Sequence, residues 1–131
     1  MTDRTSLEGM NVLAVEDEML VAMMLEDILE DAGCNAIVAG HLEEALILAQ
    51  ERDLDAAILD ENLHGTRSYP VADALIARAI PFIFATGYGE KNLRELYPGR
   101  SVIAKPYRDR DVIAALTALI SADPSVRCDL R

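Results

Sequence analysis

Four short apolar runs in this 131-residue chain end abruptly in a residue that can do chemistry. NVLAV runs into Glu16-Asp17, AAIL into Asp60, FIFA into Thr86 and SVIA into Lys105. Three carboxylates gathered in one place repel one another unless a cation sits among them. A ligand set made only of oxygens suits Mg2+ better than zinc. Lys105 adds a flexible point charge for an anion, and Thr86 a hydroxyl donor. A cation, a central carboxylate, a lysine and a hydroxyl are together the parts that hold a transferred phosphoryl group.

These residues meet only if the runs lie side by side. Strands are predicted at Asn11–Glu16, Cys34–Ala39, Asp55–Asp60, Pro81–Ala85 and Ser101–Ala104. Between them, Glu18–Ala32 carries Leu20, Met24 and Ile28 at helical spacing and stops at Gly33. Further helices are predicted at Leu42–Arg52, from Pro70 to about Ala79, and at Asp111–Ile120. Glu61–Ser68 reads as a polar loop, and Gly87–Leu96 as a flexible stretch with a short helix. Residues 1–9 are expected as a disordered arm, 10–121 as the domain and 122–131 as a tail. Strands alternating with helices predict an α/β fold with a parallel sheet, both faces covered. With the doubly wound order 2-1-3-4-5, right-handed crossovers place every strand C-terminus at one edge, where such sheets carry their sites. Strands one and three are then neighbours, which brings Glu16, Asp17 and Asp60 together.

Composition narrows the classes further. Hydrophobic residues make up 51% of the chain, enough to bury a core. Twelve basic residues face 23 acidic ones, for a net charge of -11, which disfavours nucleic acid as a partner. The imbalance is local: residues 1–65 carry a net -14 and residues 66–131 a net +3. One half suits a cation and the other an anion. Cys34 and Cys128 match no metal spacing and read as free thiols of a reducing compartment. No apolar run approaches the ~20 residues of a membrane helix, and MTDRTSLEG lacks the core of a signal peptide. A cytoplasmic protein is expected.

The stretches VLAVEDE, AAILDENLHG, PFIFATGYG and AKPY, in this order and spacing, resemble the receiver domain of two-component response regulators. The resemblance covers roughly residues 10–121 and implies a flavodoxin-like (βα)5 sandwich. PFIFATGYG is further similar to a subfamily, PFxFATG[G/Y], often found as stand-alone receivers paired with histidine kinases of the HWE or related type. The resemblance implies that Asp60 accepts phosphate from a sensor histidine kinase or histidine phosphotransfer protein. It implies Asp17 as a direct Mg2+ ligand, Glu16 as a neighbour acting through water, and Asn62 as the donor of a backbone carbonyl to the metal. Thr86 is then the hydroxyl that moves to the phosphate, and Lys105 the lysine that pairs with it. The Lys105–Pro106 peptide is expected cis. Docking to the kinase side is assigned to Val21, Tyr88, Pro106 and Tyr107. The chain departs from the pattern at Glu16, where many receivers have Asp, and at Val102, where many have a Tyr or Phe that swings with the threonine. In its place, ordering of Gly87–Leu96 on activation is expected. Signalling by protein contact follows, with no nucleic acid or membrane involved.

Rival classes leave identifiable traces. A Mg2+-dependent phosphohydrolase with an aspartyl nucleophile would want a second aspartate two residues on, where Asn62 stands. A non-phosphorylated adaptor would not need Asp17, Asp60, Thr86 and Lys105 all intact. A flavin-binding relative would want a Ser/Thr/Gly-rich loop after strand one, where EDEML stands. Glu16-Asp17-Glu18 alone would serve as the solvated start of a helix. His64, in the loop of Asp60, reads as an exposed histidine or a modulator of water access. His41 reads as structural, Cys34 as a small core residue, Cys128 as an exposed tail thiol, and Met10, Met19, Met23 and Met24 as core fillers or part of a docking face.

Overall fold

The computed structural model describes residues 7–87, 93 and 95–121. Five parallel strands form one sheet: β1 (Asn11–Val15), β2 (Asn35–Ala39), β3 (Ala56–Asp60), β6 (Phe82–Thr86) and β7 (Ser101–Ala104), in the order β2-β1-β3-β6-β7. This is the expected 2-1-3-4-5 order, with β4 (Asn62–Leu63) and β5 (Thr66–Arg67) forming a separate antiparallel hairpin. The helices are α1 (Met19–Asp31), α2 (Leu42–Glu51), α3 (Tyr69–Ala77) and α4 (Asp109–Ser121).

Alternation along the strands sorts the core into two layers. Leu13, Val15, Ala57, Leu59, Phe82 and Phe84 pack with Ala45 and Ala49 of α2 and Val71, Ala72 and Leu75 of α3. Val12, Ala14, Ala56, Ile58, Ile83 and Ala85 pack with Leu25, Ile28 and Leu29 of α1 and Val112 and Leu116 of α4. Every residue of β3 and β6 is buried, which fits central strands covered on both faces. The fully buried side chains of α2 are the small Ala45 and Ala49, with Leu42, Leu46 and Leu48 partly buried beside them.

Two expectations need correction. The loop 61–68 holds the β4–β5 hairpin, closed by His64 at φ 52 and Gly65 at φ 85. Two consecutive positive φ values are the requirement of a tight two-residue turn matched to strand twist, and glycine meets the second without strain. The arm of residues 1–9 is docked at its end: Leu7 is buried against the α1 layer, and the Gly9 N–H donates to Gly33 O at 2.7 Å. A buried leucine and a backbone hydrogen bond outweigh the polar composition of the segment. Residues 1–6, and the tail 122–131, lie outside the described residues.

Helices α1 and α3 end alike. After α1 the Cys34 N–H reaches Leu29 O at 2.9 Å, and after α3 the Ile80 N–H reaches Leu75 O at 2.9 Å. The left-handed residue is Gly33 in one and Ala79, at φ 59, in the other. A Cβ on Gly33 would stand 3.1 Å from the Glu8 backbone, so there only glycine lets the docked segment pass.

Candidate phosphoryl-transfer site

The C-terminal ends of β1, β3, β6 and β7 converge on a cleft of about 430 Å³, lined by Asp17, Asp60, Asn62, Thr86 and Lys105 among others. One oxygen each from Glu16, Asp17 and Asp60 lies within 4.8 Å of the others. Register makes this meeting inevitable: Val15 of β1 pairs with Leu59 of β3, so the residues that follow emerge side by side.

Lys105 ties the group together. Its Nζ lies 3.2 Å from Glu16 Oε1 and 3.3 Å from Asp60 Oδ2. Burial opposes the charge on this ammonium, yet Asp60 and Glu16 outweigh it and raise its pKa. The Lys105–Pro106 peptide is cis. Glu16 is 2% exposed. Burial, then repulsion from Asp60, pushes its carboxyl up to about 7, against the opposing pull of the Glu18 N–H and Lys105. Asp60 is raised too, chiefly by burial, while the Asn62 N–H at 3.2 Å and Lys105 work the other way. Asp17 behaves differently. Burial would raise it, but the His64 N–H at 2.7 Å and the His64 imidazole prevail and hold its carboxyl below the ordinary value.

These features fit a divalent cation. A buried pair of carboxylates served by one ammonium and two backbone N–H groups has negative charge left over, and Asp17 stands ionised beside it. The donors are hard oxygens, which suit Mg2+.

Thr86 is buried at the end of β6, and its hydroxyl donates to Glu61 Oε1 at 3.0 Å. Glu61 was no part of the expected site. It is buried, its Oε2 accepts from the Tyr69 hydroxyl at 2.8 Å, and it pairs with Arg67 at 3.4 Å. The sequence carried one signal for it: a second acid directly after Asp60, with Arg67 and Tyr69 just downstream. His64 is more than an exposed loop residue, since its backbone holds Asp17 and its ring stacks on His41 with centroids 5.2 Å apart. Val102 packs into the layer that also holds Phe84, Leu93, Tyr69 and Tyr97.

Of the docking residues, Val21, Pro106 and Tyr107 line one cleft of about 370 Å³ with Glu18, Met24 and Lys105. Met19, Leu20 and Met23 are exposed on the adjoining surface of α1. Tyr88 and most of Gly87–Leu96 lie outside the described residues. Among the described residues, no helix is long and apolar enough to cross a membrane.

Comparison with known proteins agrees with this geometry. The family model of the response regulator receiver domain matches residues 12–117. The phyllosphere-induced regulator PhyR of Methylorubrum extorquens is 36% identical over 121 residues, covering 88% of this chain and 45% of that protein. The chain spans about half the length of the curated relatives it matches. The solution structure of SdrG from Sphingomonas melonis Fr1 superposes with a TM-score of 0.75 at 43% identity, covering 86% of this chain and 97% of that one. In fold alone, the chain is also similar to the receiver domain of sensor histidine kinase PA1611 from Pseudomonas aeruginosa, solved with magnesium in its active-site cleft (TM-score 0.76, 24% identity, 87% and 99% covered). With its sheet order, its acidic cleft and a family match over most of its length, this chain belongs to the response regulator receiver domains.

Proposed function

We propose that Asp60 takes a phosphoryl group from the phosphohistidine of a partner kinase or histidine phosphotransfer protein. The observation that carries this reading is the cluster of Glu16, Asp17 and Asp60 oxygens within 4.8 Å, with Lys105 bridging Glu16 and Asp60. An Asp60 oxygen forms a bond to phosphorus as the N–P bond of the donor breaks, and the electron pair of that bond leaves with the imidazole. Asp17, Asp60 and the backbone carbonyl of Asn62 would hold Mg2+, with Glu16 acting through water. The metal, when bound, neutralises charge on the phosphoryl oxygens. Lys105 then moves from sharing two carboxylates to pairing with the phosphoryl group, and Thr86 offers its hydroxyl.

The acyl phosphate biases a surface that a downstream protein reads. Support for docking on the kinase side comes from the apolar cleft of Val21, Met24 and Pro106 beside the site and the exposed Met19, Leu20 and Met23. The PFIFATGYG stretch is the reason to expect a kinase of the HWE type.

An amide NMR titration with Mg2+ and then beryllofluoride, on wild type and Asp60→Asn, tests the reading. Wild-type shifts are expected at Asp17, Asp60, Thr86 and Lys105, spreading into Gly87–Leu96, with no beryllofluoride response in Asp60→Asn. A wild type unmoved by both additions would leave the phosphoacceptor role without basis.

A further inference from the structure

Glu61 is 3% exposed, and both its carboxylate oxygens are engaged. Oε1 accepts from the Thr86 hydroxyl at 3.0 Å. Oε2 accepts from the Tyr69 hydroxyl at 2.8 Å and faces Arg67 Nη1 at 3.4 Å. Its backbone is pinned as well: the Glu61 N–H donates to Ala85 O at 3.0 Å, and Glu61 O accepts from the Ser68 N–H at 2.9 Å. With the backbone pinned and Oε2 held by Tyr69 and Arg67, the acid keeps partners in place when Thr86 departs.

Thr86 donates here to a buried carboxyl group that also takes a hydroxyl and a guanidinium. Asp60 pairs with Ala85 in the sheet, so Thr86 stands one residue beyond the level of Asp60, in the same cleft. The hydroxyl has a single proton to donate. It serves Glu61 or an oxygen on Asp60's phosphoryl group.

We propose that Glu61 is a positioning residue that competes with the phosphoryl group for the Thr86 hydroxyl, and so sets how readily this receiver switches. The inference rests on the reading that Asp60 carries the phosphoryl group. When Thr86 leaves, Oε1 remains buried and has lost a donor, which is unfavourable. Arg67, whose side chain is 53% exposed, is the partner with room to close on it. Tyr69, the first residue of α3, shares the same carboxylate, so the exchange reaches the start of that helix and the β4–β5 hairpin. With Val102 in place of an aromatic residue, this network gives the threonine a route outward through α3.

The test is a double-mutant cycle on beryllofluoride affinity in Mg2+, using wild type, Glu61→Ala, Thr86→Val and the double variant. Glu61→Ala is expected to tighten beryllofluoride about tenfold by removing the competitor. In the Thr86→Val background the same change is expected to have no effect. Equal tightening in both backgrounds would mean that lost negative charge or a freed Arg67 is the cause, and would overturn the proposal. Unchanged or weaker binding in Glu61→Ala would overturn it too. Glu61→Gln, close in shape and still able to accept from Thr86, is run through the same cycle to guard against misfolding and is expected to tighten binding less than the alanine. The Tyr69 ring resonances are expected to move on beryllofluoride addition in wild type and to stay in Glu61→Ala. A wild type that ignores beryllofluoride removes both this proposal and the phosphoacceptor reading, whereas a wild type that binds it and fails the cycle removes this proposal alone.

Discussion

Asp60 and Glu61 are consecutive, both buried, and both acidic, yet they live in opposite circumstances. Glu61 has two oxygens and three donors: two hydroxyls and a guanidinium. Among the described residues, Asp60 and Glu16 together have four oxygens and share one ammonium and two backbone N–H groups. A buried charge is tolerated when its hydrogen-bonding capacity is met. The Glu61 cluster meets that condition from within the chain. The Glu16–Asp60 pair does not, and under the proposed function that shortfall is what would draw a cation and then a phosphoryl group. One carboxylate is satisfied by folding and the other is left short of donors among the described residues.

The contrast is open to attack at several points. Lys105→Met removes the one side-chain cation that the described residues give the unfinished pair, while keeping much of the stem's volume. It is expected to destabilise the metal-free protein by about 2 kcal/mol in urea unfolding, less than a fully buried pair would lose because Lys105 is 20% exposed. Added Mg2+ should recover part of that loss. No recovery would mean that the pair does not depend on cations as described.

A second point of attack is pH. The Glu16 carboxyl is pushed up to about 7 from 4.5, so the folded state holds its proton more tightly than the unfolded state does. Stability from this group is present below about 4.5 and is lost as pH rises toward 7; Asp60 is shifted in the same direction. Thermal melts in EDTA should therefore show stability falling between pH 5 and 8. Glu16→Gln should flatten that slope, and so should Mg2+, which favours the ionised form. Asp17, lowered rather than raised, acts the other way and only in more acid solution.

Tyr69→Phe probes the finished cluster and should have the smallest effect. It removes one of three donors to Glu61, so a loss of about 1 kcal/mol is expected. The other two donors remain in place, so the loss should stay below that of Lys105→Met. A loss as large as that of Lys105→Met in urea unfolding would show that Glu61 is less well served than its geometry indicates.

The two regions also differ in how far the sequence discloses them. Glu16, Asp17, Asp60, Thr86 and Lys105 follow apolar runs long enough to read as strands, and parallel order alone brings strand ends together. Their meeting was legible without knowledge of any contact. Glu61, Arg67 and Tyr69 meet through a hairpin whose strands are two residues each, too short for any periodicity to register. His64 holds Asp17 through its backbone N–H, a contact that its side-chain chemistry does not announce. Leu7 was hidden for a similar reason, since one apolar residue in a polar stretch carries no pattern.

That docked leucine bears on Cys34. The thiol is 5% exposed and donates to the Leu7 carbonyl at 3.4 Å. Burial, with Asp55 nearby, raises its pKa and leaves little reactive thiolate. A reagent reaches the buried sulfur when its surroundings open, and the Leu7 segment is one of the elements that cover it. The cysteine is thus a built-in clock for local opening at the β2 edge: its labelling rate, divided by that of an exposed thiol, measures how often this border of the domain comes undone while the rest stays folded.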